Sequence, residues 1–295
     1  MTLHTHSKFT RENNMNRLIA RYLMASIFFS FLFFSSSCSK KNTSFDYNEV
    51  IETVGDYVES QQMTDLLLNT YFKSISDSIL LTDGFAEIDG ADVSLTLNPA
   101  KIIIKYPVWG KDDGYGHYRK GIYEASTETS FFDSLATINF TFSNFSYDFD
   151  SVSVGDLTII NNGISEGNYS FEVNATNIYR GFHDTTGQIL YNVQQDFIRI
   201  KSTSSPYYSE NDYFDISGNL SGIARNGKVF NGIVQDTSSL KNSLSCIWLK
   251  GGTSNVELPD FIHNATTSFM NDGECLNQYN VVTNETLLIK AFDSE

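Results

Sequence analysis

The chain has 295 residues, of which 35 are acidic, 20 are basic and 41% are hydrophobic. The formal net charge of −15 repels phosphate backbones and anionic membrane surfaces, so we expect no nucleic-acid partner. The length and the apolar content suit one large β domain or two smaller ones.

The first predicted element is a secretory signal peptide. The apolar block at residues 22–34 is too short for a transmembrane helix, which takes about 20 apolar residues. Arg17 and Arg21 precede the block and three serines follow it, which is the order found in a cleaved signal. A complete signal already starts at Met15, so residues 1–37 are predicted to be an upstream extension and a signal. The alternative is a core helix followed by a chance cysteine.

A cysteine directly follows these serines. "SSSC", which ends at Cys38, resembles the lipobox of bacterial lipoproteins in the looser form common in Bacteroidetes. The resemblance implies that Cys38 is acylated and that residues 38–46 form a lipidated tether. We therefore expect membrane attachment through this lipid, at the outer membrane. "SKKN" lacks an acidic run, which favours the periplasmic face over the cell surface.

Residues 47–82 form the next predicted element, a helical segment. Apolar residues recur there at helical spacing. They are Val50, Val54, Tyr57 and Val58, followed by Met63, Leu67, Tyr71, Ile75 and Ile79 at intervals of four. The spacing predicts one or two amphipathic helices that pack on a β domain.

The apolar period then changes from helical to two, which is typical of β-strands. Alternation marks strands at residues 93–97, 138–142, 171–175, 198–200 and 287–291, and "KIIIKY" is predicted to be a more buried strand. Turn signals with glycine separate the strands, at residues 161–163, 185–187, 225–227 and 271–273. Residues 83–295 are therefore predicted to be β-rich, as an antiparallel β-sandwich or an extended β-sheet, in one domain or two packed subdomains.

Two cysteines remain if Cys38 is acylated. Cys246 and Cys275 lie in the last β region, and thiols outside the cytoplasm usually oxidise. We predict a disulfide between them, with Cys246 and Trp248 on the buried face of one strand. The alternative is a pair of buried free thiols.

Several segments together resemble a group of uncharacterised β-rich lipoproteins of Bacteroidetes. They are "AKIIIKYPVWGKDDGYGHYRKGIYE", "INFTFSNFSYDFDSVSVGDLTIINNG", "YFDISGNLSGIARNGKVFNGIV", "LSCIWLKGG" and "FMNDGECLNQYNVVTNETLLIKAF". The likeness covers residues 47–292. It departs from that group at Leu276, where we expect an acid, and at residues 107–117, which lack a cysteine. The resemblance implies a β-rich fold and an envelope location, and it implies no activity.

Residues 109–121, "WGKDDGYGHYRKG", hold the candidate ligand-binding residues Trp109, Tyr115, His117 and Tyr118. Aromatic rings in this pattern are able to stack on a sugar ring. The alternative is a glycine-rich hairpin loop with aromatic packing, since Asp and Gly favour turns for backbone reasons. Asp112 and Asp113 offer oxygen ligands for Ca²⁺, but the segment lacks the ligand rhythm of an EF-hand loop.

No other pattern predicts a cofactor, a metal site or a catalytic site. His117, His183 and His263 have no metal-ligand spacing, so we expect solvated surface histidines. The one Gly-x-Ser-x-Gly match, at residues 163–167, lies in the predicted β-rich region and not between a strand and a helix, so it does not support a serine hydrolase. Paired carboxylates, as in glycosidases, leave no local pattern and stay open as an alternative. The expectation is a protein that is not an enzyme.

Asp-Ser/Thr-apolar tripeptides are a further pattern. They resemble the O-glycosylation acceptor of Bacteroidetes, and ordinary turn chemistry is the alternative. The candidate acceptors are Ser78, Ser134, Ser151 and Thr185.

Two hypotheses about function follow from these observations. The first is a lipid-anchored cell-envelope protein with a non-catalytic structural or interaction role. The second is a glycan-binding or glycan-processing lipoprotein of a nutrient-uptake system. An envelope protein is the expected partner under the first hypothesis, and a glycan is the expected ligand under the second.

Overall fold

The computed structural model describes residues 47–291, apart from 113, 115, 166, 185–186, 202–208, 210, 270–273 and 284–285. Phe45–Glu295 constitute one compact unit. The predicted signal peptide, Cys38 and the tether at residues 38–46 lie outside the described residues.

The helical segment consists of two helices, α1 (Tyr47–Ser74) and α2 (Ser78–Asp83). Asp77 begins α2, because its Oδ1 accepts a hydrogen bond from the Leu80 amide at 2.7 Å. Gly84 ends α2 in the left-handed region at φ 76°, where glycine has no side chain to clash. The prediction of one or two helices in this segment is confirmed.

The first half of α1 is amphipathic as predicted, and the second half is enclosed by the sheet. Every residue from 60 to 72 is buried, which includes polar residues such as Gln61 and Asp65. The exposed stripe of an amphipathic helix occurs only in the first half, where Asn48 and Glu52 are exposed one turn apart. The expected apolar stripe is buried at Met63, Leu67 and Tyr71, and in the second half both apolar and polar buried residues occupy the rest of the helix circumference.

The described residues contain sixteen β-strands. They are β1 (Phe85–Ile88), β2 (Ala91–Leu97), β3 (Ala100–Asp112), β4 (Tyr118–Thr127), β5 (Thr137–Tyr147), β6 (Asp150–Ser153), β7 (Asp156–Ser165), β8 (Asn168–Gly181), β9 (Gln188–Ile200), β10 (Tyr213–Ile223), β11 (Val229–Val234), β12 (Leu240–Ser243), β13 (Thr253–Glu257), β14 (Ala265–Ser268), β15 (Tyr279–Thr283) and β16 (Thr286–Lys290). A short 3₁₀ helix, Asp236–Ser238, precedes β12.

All strands belong to one antiparallel sheet, so the fold is mainly β as predicted. The main path runs β1-β2-β3-β4-β5-β6-β8-β9-β10-β11-β13-β14-β15-β16. β7 pairs with β5 and β8, and β12 pairs with the first half of β10. Of the two predicted architectures, the extended sheet is the one observed. Most connections join neighbouring strands, because short turns favour hairpins over crossovers.

The sheet curls around α1, and helix residues contact strands far apart in its order. Near the start of the helix, the rings of Tyr57 and Phe230 on β11 meet edge to face. Near its end, Tyr71 meets Phe140 on β5 in the same way. Phe72 packs on Phe214 of β10 with 4.4 Å between ring centroids. The core is therefore the space between the helix and the concave face of the sheet.

β9 shows which face of a strand is buried when the sheet encloses the helix. Its residues alternate strictly between exposed and buried, and the buried set includes Gln195, Phe197 and Arg199. Ile198 and Ile200, whose alternation predicted the strand, lie on the outer face, and Ile198 is 38% exposed. The strand was therefore predicted correctly, while its inner face is known only from the structure.

The predicted turns have mixed outcomes. The turn with Asn226 and Gly227 joins β10 to β11, and Gly227 has the positive φ that such a turn needs. Residues 161–163 are not a turn, because Asn161 and Gly163 flank a register shift within β7. Residues 185–186 and 271–273 lie outside the described residues.

The predicted disulfide between Cys246 and Cys275 is present, with 5.7 Å between their Cα atoms. The predicted strand around Cys246 is wrong, because β12 ends at Ser243 and a turn follows. Ile247 is buried as well as Cys246, so the burial does not alternate as it would along a strand. Trp248 is partly buried against the core.

Within the described ranges, neither helix is both long enough and apolar enough to span a membrane.

Candidate functional site

The β3–β4 hairpin carries the candidate ligand-binding residues. Its loop is closed by Asp112, whose Oδ1 accepts hydrogen bonds from the amides of Gly114 and Gly116 at 2.7 and 3.2 Å. This carboxylate therefore holds the turn together, as Asp commonly does. In the part of the chain that the structure describes, no group of three or more His, Cys, Asp or Glu residues is placed to hold a metal ion. Asp113 and Tyr115 lie outside the described residues.

Trp109 is the most exposed large apolar side chain of this hairpin. It is 93% exposed and contacts no other aromatic ring among the described residues, and its neighbour Val108 is 76% exposed. Gly110, with φ at 81°, follows it in a stretch where β3 leaves regular register with β4. Trp109 therefore does not pack inside the loop, and its ring faces solvent.

His117 is packed against the sheet rather than solvated. Its side chain is only 12% exposed, and its Nδ1 lies 2.5 Å from Oδ2 of Asp148. The imidazole stacks on Tyr147, with ring centroids 5.2 Å apart. The prediction of a surface histidine is wrong here, because the β5–β6 turn covers the ring.

Tyr118 and Phe149 form a partly exposed ring pair. Their planes are within 24° of parallel, their centroids are 6.2 Å apart, and they are 43% and 66% exposed. Asp148 holds the two segments together, because its Oδ1 accepts a hydrogen bond from the Tyr118 amide at 2.7 Å. Phe149 also meets His183 at 5.7 Å. We call Trp109, Tyr118 and Phe149 the aromatic surface.

Phe149 was not predicted as part of this surface. It lies in the β5–β6 turn with φ at 70°, more than thirty residues from Tyr118 along the chain. No local pattern marks it, because its exposure depends on the pairing of β4 with β5. Only a prediction of strand register would have found it.

A second cluster of polar residues lies where α1 meets the β8–β9 and β10–β11 hairpins. Arg225 donates to Asp56 from its backbone N–H at 2.6 Å and from its Nε at 2.7 Å. Its Nη2 also lies 3.2 Å from Glu59. Arg180 contacts the other oxygen of Glu59 at 3.2 Å and Asp150 at 2.7 Å. We call these five residues the arginine network.

Phe182 lies close to both guanidinium groups of the network. The carbon of the Arg180 guanidinium is 4.6 Å from the ring centroid, and that of Arg225 is 4.3 Å away. Cations close to an aromatic face are stabilised by its quadrupole. The ring therefore stabilises both charged groups, which Glu59 also contacts.

Burial sets the pKa values of the network. Burial raises the pKa of Asp56, and Arg225 opposes the rise through its charge and its hydrogen bonds. Burial lowers the pKa of Arg180, but Glu59 and Asp150 outweigh it, so the net change is upward. The guanidinium groups thus stay charged and paired with carboxylates. This pairing indicates that the network has a structural role and is not a free binding site.

A cavity of about 400 Å³ adjoins the network, between the first turns of α1 and the strands β15 and β16. Glu52, Glu59, Arg225 and Lys290 give its lining both signs of charge, and Tyr279 adds a ring. Burial raises the pKa of the Tyr279 hydroxyl, so this group is neutral. The cavity is therefore polar and has no net preference for one sign of charge.

The candidate glycosylation residues are accessible where they are described. Ser78, Ser134 and Ser151 are exposed, and Thr185 lies outside the described residues. Asp77, which precedes Ser78, already caps α2. Turn and cap chemistry therefore accounts for at least this one of the tripeptides without any modification.

No protein-family model, curated protein or solved structure matches this chain. The chain is a mainly β protein in which one antiparallel sheet curls around a largely buried helix. The aromatic surface, outside this core, is its candidate functional site.

Proposed function

We propose that this chain is a lipid-anchored cell-envelope protein with a non-catalytic interaction role. The observation that carries the proposal is the aromatic surface, in which Trp109 is 93% exposed. Tryptophan and tyrosine are enriched where proteins bind partners, and a solvated indole gains by burial there. Asp112 and Asp148, in the loops that carry this surface, both accept backbone hydrogen bonds, which favours a binding role over a catalytic one.

The proposed location rests on the sequence. The signal pattern before Cys38 and the resemblance to β-rich lipoproteins of Bacteroidetes both support an envelope protein. The acidic chain supports attachment through lipid rather than through surface charge. The outer membrane, with the protein on its periplasmic face, is the proposed site.

Labelling with an alkyne fatty acid tests the anchor. Cells expressing the wild-type chain should yield a labelled protein, and cells expressing Cys38→Ala should not. Equal labelling of both proteins contradicts the anchor. Protease treatment of intact cells then separates the two membrane faces, since only a surface protein is cleaved.

A glycan is the second candidate for the partner, and the ring pair favours it. Tyr118 and Phe149 are both partly exposed, so each offers ring surface to a ligand, and Tyr118 belongs to the same hairpin as the exposed indole. Flat aromatic faces complement the C–H face of a sugar ring, while the tyrosine hydroxyl supplies a hydrogen bond.

A glycan array tests whether the partner is a glycan. If the partner is a glycan, the wild-type protein binds a defined set, and Trp109→Ala and Phe149→Ala lose that binding at least about tenfold. Phe85→Ala is the matched control, because Phe85 is a 55% exposed aromatic residue on the edge strand β1. Equal loss in the control, or no binding by the wild type, rejects the glycan and leaves a protein partner.

A further inference from the structure

A second, apolar cavity lies where the chain leaves α1. Its volume is about 430 Å³, within the range of small-molecule sites. Four segments line it: the end of the first helix, α2, the β2–β3 hairpin and the loop after β4. The lining residues on which the argument depends are Ile75, Leu97, Ile102, Glu128, Phe131 and Phe132.

The cavity is apolar at its floor and open at its mouth. Ile75, Ile102 and Phe131 are each at most 6% exposed. At the mouth, Leu97 is 66% exposed and Phe132 is 49% exposed. An apolar recess of this size gains free energy when an alkyl group displaces its water.

The charge around the mouth has one sign. Glu128 is the one charged side chain of the lining, and no basic side chain lines the cavity within the described residues. Asp133, next to Phe132 in the chain, adds a second acid and accepts a hydrogen bond from the Ser130 amide. An anionic head group held at this mouth would meet like charge.

Lys101 does not compensate this charge. It stands between Ala100 and Ile102, whose side chains line the cavity, so strand alternation directs it to the opposite face of β3. On that face its Nζ lies 2.7 Å from Glu124 of β4. The acidic charge at the mouth therefore depends on the fold, which directs Lys101 away from the cavity, and not on composition alone.

We propose that this cavity binds the alkyl chain of a cationic amphiphile, with the cationic head beside Glu128. The apolar floor accepts the chain, and the acidic mouth selects the sign of the head group by charge complementarity. A fatty acid has the wrong charge for this mouth. A folded protein surface is disfavoured because the exposed apolar residues of the lining are confined to the two at the mouth, around a concave recess.

Isothermal titration tests the proposal with three probes that share one tail. They are dodecyltrimethylammonium, dodecyl maltoside and dodecyl sulfate, each below its critical micelle concentration. The protein is the full chain with Cys38→Ser, so that no acyl group of its own competes. We expect saturable one-to-one binding of the cationic probe, with affinity at least tenfold above that of dodecyl sulfate. Octyl- and decyltrimethylammonium should bind more weakly, by about fourfold per methylene.

Matched variants distinguish binding in the cavity from a general attraction of the cationic probe to an acidic protein. Leu97→Ser should weaken binding at least tenfold, while Leu287→Ser, at a 59% exposed leucine of β16, should not. Glu128→Gln should reduce the preference for the cationic head, while Glu87→Gln, which removes an exposed acid of β1, should leave it unchanged.

Three results would overturn the proposal. The first is equal affinity for the cationic and anionic probes. The second is an equal response of Leu97→Ser and Leu287→Ser, which would show binding elsewhere on the surface. The third is a wild-type dimer in sedimentation that Leu97→Ser dissociates, because a second copy of the chain would then cover the cavity.

Discussion

At the scale of single residues, the polar side chains inside the sheet are the least expected feature. Gln61 and Gln195 exchange two amide hydrogen bonds, at 2.7 and 3.3 Å, across 134 residues of sequence. Asp65 is 2% exposed and accepts one hydrogen bond, from Nε2 of Gln61 at 3.2 Å. Buried polar groups are costly unless they are paired, so such pairs specify how the helix sits within the sheet.

Asp65 should make the stability of the protein depend on pH. Burial raises the pKa of Asp65 well above its ordinary value of 3.8, and the hydrogen bond from Gln61 only partly opposes it. Between 3.8 and the raised pKa, the folded state holds a proton that the unfolded state has lost. The free energy of unfolding therefore falls as pH rises through this window, by up to about 1.4 kcal/mol per pH unit.

Asp65→Asn should remove this contribution, because asparagine keeps the acceptor oxygen and does not titrate. Urea denaturation from pH 4 to pH 8 should show a flatter profile for the variant and greater stability at pH 8. Asp56, whose pKa is also raised, affects both proteins alike. Parallel profiles for the two proteins would show that Asp65 is not buried as described.

The arginine network gives a second prediction at this scale. Asp56 is fully buried, and Arg225→Met leaves its carboxylate without the guanidinium. Loss of one partner of a buried pair should lower the free energy of unfolding by about 3 kcal/mol. Lys228→Met is the control, because its 3.6 Å pair with Glu49 is partly exposed and should cost less than about 1 kcal/mol. Similar losses in both variants would contradict the structural role of the network.

At the scale of elements, two glycines illustrate the contact between α1 and the sheet, one in the helix and one in β11. Gly55 is within the helix, and a Cβ there would meet only the Tyr279 hydroxyl, at 3.8 Å. Gly232 is on β11, and a Cβ there would lie 1.9 Å from Cε2 of Tyr57. The helix therefore approaches the backbone of β11 more closely than any larger residue allows.

These two glycines should respond oppositely to the same substitution. Gly55→Ala should raise the free energy of unfolding by about 0.5–1 kcal/mol, because glycine is a poor helix former. Gly232→Ala should lower it by at least about 2 kcal/mol, because Tyr57 must move and loses its 2.6 Å hydrogen bond to Ser254. Chemical denaturation measures both values. A tolerated Gly232→Ala would mean that the helix does not lie against β11.

At the scale of the whole molecule, one continuous sheet leaves two ends of the strand path, at β1 and β16. The disulfide ties the turn after β12 to the segment before β15, across 29 residues of sequence. It thus restrains the part of the chain that leads to the last hairpin. Such a restraint acts mainly by limiting the unfolded chain.

Removal of the disulfide should destabilise the whole unit. The double variant Cys246→Ala/Cys275→Ala should lose roughly 3–4 kcal/mol, the chain-entropy value for a loop of this length. Thermal unfolding with and without reductant measures the effect, and reductant should lower the midpoint of the wild type but not of the variant. A wild type that is insensitive to reductant under denaturing conditions would show free thiols.

The sequence alone determined the elements whose signals are local. Period-two alternation predicted β2, β5 and β8, and the Asn226-Gly227 pair predicted its turn, because pleat and backbone conformation depend on adjacent residues. The count of cysteines predicted the disulfide. Trp109 was named as a candidate because its ring is able to stack on a sugar, but its exposure was not predicted.

Tertiary structure alone decided what depends on residues distant in sequence. It placed Phe197 inside and Ile198 outside, because both sides of β9 carry apolar residues and only the helix determines which side is covered. It made the second half of α1 buried all round, because polar residues such as Gln61 and Asn69 find partners more than a hundred residues away. The free energy of burial depends on both of the surfaces that come into contact, whereas a local sequence pattern describes only one of them.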